Sequence, residues 1–257
     1  MVAVAATAVA AAVVTAAAIN PMAAQRTALL AGATGLVGGE LLQCLLGDAR
    51  YSAVHCVGRR APSVSHPKLT VHLVDFGNAA QSATLPACDD VYIALGTTIK
   101  VAGSQAAFKA VDYDAVLAIA QTSIAQTAIK NIANSQRLGL VSAMGADALS
   151  SVFYNRTKGQ IEAAITQLGY GSVSIARPSM LAGERQALNQ ANRTGEQLGL
   201  KVMNALDFLI PANYKAIQAA DVASALHRMV TRGDKGVCIA MSGELRDLAH
   251  AKSSTLR

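Results

Sequence analysis

Two side chains capable of proton transfer, Tyr154 and Lys158, stand four residues apart in a segment with a helical apolar period. This spacing predicts that both lie on one face of a helix. A phenol has an unperturbed pKa of about 10, and a nearby ammonium lowers that pKa by favouring the phenolate. Ser142, twelve residues before Tyr154 at the end of a predicted strand, could hold a substrate oxygen. Although a Tyr–Lys spacing alone is common, the trio predicts a catalytic site that exchanges a proton with a carbonyl oxygen while a nicotinamide supplies hydride.

A glycine-rich loop, GATGLVG at 32–38, follows a predicted strand directly and opens a predicted helix. Gly32 would make the tight turn, Gly35 would let backbone amides approach a pyrophosphate, and Gly38 would let helix and strand pack closely. The helix N-terminus adds free N–H groups and a partial positive charge. The spacing is GxxGxxG rather than GxGxxG, and an ordinary glycine-rich turn is the alternative. The cofactor contacts expected in this loop are Gly32, Thr34, Gly35, Leu36, Val37 and Gly38.

The end of the second predicted strand indicates which dinucleotide binds. NAD sites place an acidic residue there for the ribose 2′-hydroxyl. Here the strand ends in Val57-Gly58-Arg59-Arg60, with two guanidinium groups and no acid. Arginine binds oxyanions in a bidentate manner, which suits a 2′-phosphate. The sequence therefore favours NADP(H) over NAD, with Arg59 and Arg60 as the discriminating contacts and an exposed basic turn as the alternative.

Short apolar runs alternate with longer amphipathic ones from residue 26 onward. This pattern predicts an α/β fold, a doubly wound parallel sheet of the Rossmann type. The strands are expected at 27–31, 53–57, 69–74, 90–95, 138–142, 173–176 and 237–240. The helices are expected at 36–46, 108–132, 151–168 and from a cap at Asp221 to about 230. The stretch from about 180 to 215 breaks the alternation and is expected to form a small C-terminal substrate lid.

Composition excludes several classes of protein. The chain has 257 residues, of which 52% are apolar and 15% charged, with a net charge of +6, so a disordered chain is excluded. Only 4% are aromatic and none is Trp, and the basic residues are scattered, which argues against a nucleic-acid partner. The four cysteines, Cys44, Cys56, Cys88 and Cys238, are expected to be buried, reduced thiols. The histidines show no ligand spacing, so no metal is expected.

The first 25 residues differ from the rest because no charged side chain occurs between Val2 and Gln25. The preferred interpretation is an Ala-rich N-terminal extension, and an export or membrane segment is the alternative. Residues 26–257 are expected to form one NAD(P)-binding domain without stable membrane insertion. The cytosolic cofactor and the reduced thiols predict a cytoplasmic protein.

Taken in order, the motifs resemble those of atypical short-chain dehydrogenase/reductases, and more narrowly the Tat-interactive-protein (oxidoreductase-like) group of NADPH-binding proteins and its bacterial relatives. The resemblance covers about residues 26–232. The matching segments are GATGLVG at 32–38, VGRR at 57–60, VDF at 74–76, LGTT at 95–98, FKAVDYDAV at 108–116, SAMGAD at 142–147, YNRTKGQIE at 154–162, ARPSML at 176–181, ERQ at 184–186 and RTGE at 193–196.

The resemblance implies roles for individual residues. Asp75 would contact the adenine with Phe76 beside it, and the segment Leu95, Gly96 and Thr97 would lie along the adenine ribose. Tyr154 would donate the proton, Lys158 would hold the nicotinamide ribose, Ser142 would orient the substrate, and Pro178 would border the nicotinamide carboxamide.

One residue departs from the family pattern, in which an Asn on the fourth helix completes a proton relay. The nearest equivalent here is Asp112, which leaves the relay and the turnover rate open. In the lid, Arg185, Arg193 and Glu196 could recognise an anionic substrate or form a structural salt bridge.

Two functions therefore remain open. The first is an NADPH-dependent reductase of a small carbonyl compound, and the second is a non-catalytic NADP(H)-dependent regulator or redox sensor that binds a protein partner. Monomer and homodimer are equally compatible with the sequence. A hydrolase is poorly supported because the chain has no GxSxG elbow.

Overall fold

The computed structural model describes residues 25–74, 85–129, 135–182 and 211–251. Within these ranges the chain forms a seven-stranded, wholly parallel sheet with the strand order β3-β2-β1-β4-β5-β6-β7. The strands are β1 (Arg26–Ala31), β2 (Tyr51–Gly58), β3 (Leu69–Leu73), β4 (Asp90–Ile93), β5 (Arg137–Val141), β6 (Ser172–Arg177) and β7 (Gly236–Met241). The doubly wound fold predicted from the alternating pattern is confirmed.

Helices cover both faces of the sheet because the strands are apolar on both sides. They are α1 (Leu36–Gly47), α2 (Ile99–Ala102), α3 (Gln105–Lys109), α4 (Val116–Ile129), α5 (Phe153–Thr166), α6 (Ala219–Arg232) and α7 (Ser242–His250). One core joins α1, α6 and α7 to one face of the sheet, and the other joins α4 and α5 to the opposite face. Along β1, Leu30 points into the first core and Leu29 into the second.

Several predicted elements differ in detail. The long helix expected at 108–132 is divided: α3 continues into a π-helical segment, Ala110–Ala115, before α4 begins. Asp221 lies within the first turn of α6 and the N-cap is Gln218, so the predicted cap is wrong. Helix α7 was not predicted. Most of the expected lid (180–215) lies outside the described residues.

The amino ends of the central strands meet in a buried polar cluster. Asp90 is fully buried, and its carboxylate accepts hydrogen bonds from Arg26 Nη2 at 2.6 Å and from Tyr51 Oη at 2.7 Å. A second arginine, Arg137 on β5, places its Nε 4.0 Å from the same carboxylate. Because a buried charge must be paired, this cluster compensates Asp90 at the end of the sheet opposite to the candidate site.

Candidate active site

The strand order reverses between β1 and β4, so the loops that follow them diverge to opposite faces of the sheet. In open parallel sheets this divergence creates a crevice at the carboxyl ends of the strands, where ligands bind. The loop after β1 is the glycine-rich loop, and the segment 94–98 follows β4. Ser142 follows β5 directly. The fold therefore brings three of the predicted motifs to one edge of the sheet.

The glycine-rich loop is too close to its neighbours to carry side chains at two positions. Gly32 has a φ of +92°, and a Cβ there would lie 2.5 Å from the carbonyl oxygen of Ala94. A Cβ on Gly38 would lie 1.9 Å from the carbonyl oxygen of Gly32. At Gly35 the nearest heavy atom would be 3.4 Å away, so protein packing alone does not require glycine there. The open space above Gly35 is what a ligand lying against the backbone would need.

This loop forms one wall of a cleft of about 460 Å³, the nucleotide cleft. The other walls are the end of β2 with Arg59 and Arg60, and the segment Leu95–Thr97. Both arginines are exposed, and the first turn of α1 contains no acidic residue. A concave surface with helix N–H groups at its centre and guanidinium groups at one end fits a phosphorylated dinucleotide. The residues present therefore fit the cofactor that the motifs imply.

A second cleft of about 660 Å³, the Tyr154 cleft, continues from the first. Gly35 and Leu95–Thr97 line both clefts. The Tyr154 cleft is lined by Ser142, Tyr154, Lys158 and Asp112, with the apolar side chains of Leu36, Val37, Ile99, Val101, Val141 and Leu181. The three predicted catalytic residues are thus brought to one cleft, beside the predicted nucleotide loop.

Lys158 is buried and forms an ion pair with Asp112. Its Nζ lies 2.7 Å from Asp112 Oδ1, and the exposed fractions of the two side chains are 6% and 0%. The second carboxylate oxygen, Oδ2, accepts a hydrogen bond of 2.9 Å from the Thr97 backbone N–H. Burial raises the pKa of the Asp112 carboxyl, while the Lys158 ammonium and the Thr97 N–H oppose that rise. Asp112 therefore ties the Lys158 helix to the loop after β4.

Ser142 has an acidic partner that the sequence did not reveal. Its hydroxyl donates a hydrogen bond to Glu162 Oε1, and Glu162 is 4% exposed. Arg177, the last residue of β6, donates to the same carboxylate through Nη2 at 2.5 Å and Nε at 3.1 Å. Since an ionised carboxylate only accepts hydrogen bonds, the proton of the Ser142 hydroxyl is directed at Glu162. The serine oxygen is left with lone pairs towards the cleft.

The ring of Tyr154 is held by an aromatic neighbour. The centroids of the Tyr154 and Phe108 rings are 5.4 Å apart, and Phe108 is fully buried at the end of α3. Such a contact between rings favours a fixed orientation of the phenol. The π-helical segment begins two residues after Phe108, so the same stretch of chain positions both the aromatic contact and Asp112.

Not every predicted contact residue is brought to these clefts. Asp75 and Phe76 lie outside the described residues, as do Arg185, Arg193 and Glu196. Pro178 is buried directly after β6, and its carbonyl oxygen accepts a hydrogen bond of 2.8 Å from Met144 N–H. It does not line either cleft as formed by the described part of the chain.

Three residues that shape the site were missed. Glu162 and Arg177 were not assigned a role, although Glu162 follows Lys158 by four residues and so shares its helix face. The third is Gly159, where a Cβ would lie 2.1 Å from the backbone nitrogen of Ala148. This close approach lets α5 pack against the loop between β5 and α5, and a glycine inside an otherwise helical pattern was the available signal.

Comparison with known proteins places the chain in a family. No family model matches it. It is 30% identical over 212 residues to Protein HTATIP2 of Rattus norvegicus, an alignment that spans 81% of this chain and 83% of that protein. The chain belongs to the atypical short-chain dehydrogenase/reductases, in the group that contains HTATIP2. Another relative is Protein FMP52, mitochondrial, of Candida albicans, which is 29% identical and aligns with 84% of this chain and 90% of its own length.

Solved structures agree with the fold of this atypical short-chain dehydrogenase/reductase. A short-chain dehydrogenase from Leptospira borgpetersenii with bound NAD+ has a TM-score of 0.63 at 14% identity and covers 86% of this chain and 93% of its own. A Burkholderia thailandensis oxidoreductase of the short-chain dehydrogenase/reductase family also has a TM-score of 0.63, at 18% identity, with 86% and 92% coverage. At these identities the likeness concerns the fold. The sequence match to HTATIP2, rather than these structures, makes the chain an oxidoreductase-like protein of the short-chain dehydrogenase/reductase type.

The expected cytoplasmic location is wrong. The relatives from Candida albicans, Aspergillus niger and Scheffersomyces stipitis are all named as mitochondrial proteins. The prediction had assumed that an NADP(H) cofactor and reduced thiols indicate the cytosol, but mitochondria satisfy the same requirements. Among the helices that the structure describes, none combines the length and the apolar character needed to cross a bilayer.

Proposed function

We propose that this protein binds NADP(H) along the nucleotide cleft and reduces a small carbonyl compound in the Tyr154 cleft. The observation that supports this function best is the continuity of the two clefts, which share Gly35 and Leu95–Thr97. An extended ligand bound beside Arg59 and Arg60 at one end would bring its other end towards Tyr154 and Lys158. Proximity of this kind is what a two-substrate reaction requires.

The preference for NADP(H) rests on the residues after β2. Arg59 and Arg60 line the nucleotide cleft, and the segment 58–62 contains no carboxylate. An acidic residue there would repel a 2′-phosphate, whereas two guanidinium groups can each donate several hydrogen bonds to it. Thr34 lines the same cleft and adds a hydroxyl group near these arginines.

In the reaction the chain itself supplies and orients the proton. When bound, the nicotinamide cofactor supplies a hydride for the carbonyl carbon. The Tyr154 hydroxyl donates its proton to the carbonyl oxygen, so the product is the neutral alcohol, and the phenolate left on Tyr154 regains a proton from water. Lys158, held by Asp112, would hold the nicotinamide ribose. Ser142 lines the same cleft, and its oxygen would orient the substrate by accepting a hydrogen bond from a donor group on it.

The walls of the Tyr154 cleft favour an apolar substrate. The exposed fraction of Leu36 is 55%, and Ile99 and Val101 are exposed beside it at the start of the short helix α2. Exposed apolar side chains that line one cleft favour an apolar ligand, because its binding removes their surface from water. We therefore expect ketones or aldehydes with an alkyl or aryl group to be better substrates than charged ones.

Binding of NADPH and NADH by the purified protein tests the cofactor. We expect NADPH to bind at least ten times more tightly than NADH, and Arg59→Ala and Arg60→Ala each to remove most of that preference. Arg232→Ala is the matched control, because Arg232 is an exposed arginine in α6 that pairs with Asp234 rather than lining a cleft. Equal affinity for both nucleotides in the wild type would refute the NADP(H) assignment.

Consumption of NADPH with a panel of alkyl and aryl ketones and aldehydes tests the reaction. We expect Tyr154→Phe to lower kcat by at least a hundredfold while the affinity for NADPH changes by less than threefold, since only the proton donor is removed. If the protein binds NADPH but the wild type and Tyr154→Phe consume it equally slowly, the reductase function fails. The regulator that reads its cofactor through a protein partner would then be the better interpretation.

A further inference from the structure

The pair Asp112–Lys158 places two opposite charges side by side in the cleft that Tyr154 also lines. Both side chains are buried, and their charged atoms are 2.7 Å apart. Tyr154 and Lys158 are one helical turn apart on α5, and all three side chains line the Tyr154 cleft. The ammonium near the phenol is therefore not an isolated charge.

The other charged groups that the structure describes around this cleft are compensated by partners of their own. Among the described residues that line it, Asp112 and Lys158 are the charged ones. Glu162 on α5 accepts a hydrogen bond from Ser142 and is compensated by Arg177, the last residue of β6, at 2.5 Å. On the π-helical segment, Asp114 pairs with Lys109 at 2.6 Å, and both of these side chains are about half exposed. Within the part of the chain that the structure describes, these charged groups are thus arranged in opposite pairs.

We propose that Asp112 offsets the charge of Lys158 and thereby keeps Tyr154 protonated at neutral pH, as a proton donor rather than a base. An isolated ammonium near a phenol favours the phenolate, but an ion pair acts only as a dipole, whose effect falls off faster with distance. In a reductase the protonated phenol is the working form. The catalytic meaning of the proposal therefore rests on the reductase function, whereas its test does not.

A geometric role of Asp112 supports the same assignment. Its Oδ2 accepts the Thr97 N–H, and a Cβ on Gly96 would lie 3.4 Å from its Oδ1 and 3.7 Å from Lys158 Nζ. The carboxylate is therefore fixed between the loop after β4 and helix α5. Asp112 is a positioning residue that acts on Tyr154 through Lys158.

Tyrosinate absorbance of the free protein gives a direct readout. The chain has six tyrosines and no Trp, so absorbance at 295 nm reports tyrosine ionisation alone. Burial raises the pKa of Tyr51, Tyr92 and Tyr170, so these three are expected to ionise at a higher pH than an exposed tyrosine. Subtracting the titration of Tyr154→Phe from that of each protein with Tyr154 isolates the ionisation of Tyr154.

The decisive variant is Asp112→Asn, with Asp114→Asn as the matched control from the same π-helical segment. We expect the ionisation midpoint of Tyr154 to fall by about one pH unit or more in Asp112→Asn, because the ammonium is then uncompensated. Asp114→Asn should leave it within 0.3 of a unit, roughly the effect of a distant exposed charge. An unchanged midpoint in Asp112→Asn overturns the proposal.

A double variant keeps the test independent of how well Asp112→Asn folds. In Asp112→Asn with Lys158→Met both charges are removed, and we expect the Tyr154 midpoint to match the wild type within about half a pH unit. A wild-type midpoint more than a unit below that of the double variant would show that Lys158 activates the phenol despite Asp112. These titrations need neither nucleotide nor substrate. A protein that passes them and still fails to bind or consume NADPH would refute the reductase and leave the charge compensation standing.

Discussion

The Ser142 hydroxyl donates a hydrogen bond to the buried carboxylate of Glu162, which also accepts hydrogen bonds from Arg177. A hydroxyl has one proton and two lone pairs. Because its one proton points at Glu162, the Ser142 hydroxyl can accept a hydrogen bond from a ligand in the Tyr154 cleft but cannot donate one to a carbonyl oxygen. Of the two hydroxyl groups in the predicted catalytic trio, the one on Tyr154 is then the one that can donate to a substrate oxygen.

Glu162→Gln should reverse the direction of the hydrogen bond between residue 162 and Ser142. The Arg177 guanidinium will hold the amide oxygen, which turns the amide nitrogen towards Ser142 and frees the serine proton for the cleft. We expect the KM for a ketone substrate to fall severalfold in steady-state assays. The gain should vanish when Ser142→Ala is added, and a gain that persists without the hydroxyl contradicts this role.

The same substitution should weaken the fold. Glu162 and Arg177 form a largely buried pair, and removing one charge leaves the other uncompensated, at a cost of about 2–4 kcal/mol. Denaturation by urea measures this directly. Glu40→Gln, at an exposed position on α1, should change the unfolding free energy by less than about 0.5 kcal/mol.

Gly38→Ala should weaken nucleotide binding because the new Cβ would overlap the carbonyl oxygen of Gly32, 1.9 Å away. The loop between β1 and α1 must then shift, and we expect the affinity for NADPH to fall by at least tenfold, with a lower melting temperature. Gly47→Ala is the matched control at the other end of α1, where no atom lies within 4 Å of the added Cβ. It should bind NADPH like the wild type, and equal binding by both variants would contradict the assigned role of the loop.

The sheet could be predicted from the sequence because its central strands are buried on both faces and appear as short apolar runs. Those at 53–57 and 138–142 were located to within two residues of β2 and β5 at either end. The π-helical segment could not be predicted, because its residues keep a helical apolar period and differ from an α-helix only in their hydrogen bonds. Helix α7 was missed because nine residues of mixed polarity give little periodic signal.

The candidate site was predictable where a motif is local and not where partners meet through the fold. The pairing of Tyr154 with Lys158 follows from helical spacing alone. Glu162 and Arg177 are fifteen residues apart, and their contact requires α5 to pack against β6, which only the tertiary structure shows. The sequence alone therefore could not show that the Ser142 hydroxyl donates a hydrogen bond to Glu162.

The four cysteines should differ in the rate at which their thiols react with a disulfide reagent. Cys238 is exposed on the edge strand β7, contrary to the expectation of buried thiols, whereas burial raises the pKa of Cys56 to about 11 and also raises that of Cys44. Since the thiolate is the reactive form, we expect one cysteine to react rapidly with a disulfide reagent at pH 8. Cys238→Ser should eliminate that fast phase, and two or more fast thiols in the wild type would contradict this ordering.

His227 should make the fold less stable in mild acid. Its ring lies in the buried cluster, stacked on Tyr92 with centroids 6.4 Å apart, and its Nε2 lies 2.9 Å from Asp48 Oδ2. Burial lowers the pKa of His227, although the Asp48 carboxylate opposes this. Between the unfolded pKa of about 6.5 and the lower folded pKa, the unfolded chain binds more protons. The contribution of His227 to the free energy of unfolding is therefore present above pH 6.5 and is lost as the pH falls, by up to about 1.4 kcal/mol per pH unit for one proton.

We expect urea denaturation of His227→Gln between pH 7.5 and pH 5.5 to show a shallower loss of stability than the wild type. His250→Gln, whose parent side chain is 73% exposed, should keep the wild-type slope, and a His227→Gln slope equal to that of the wild type would show that the folded state protonates His227 freely.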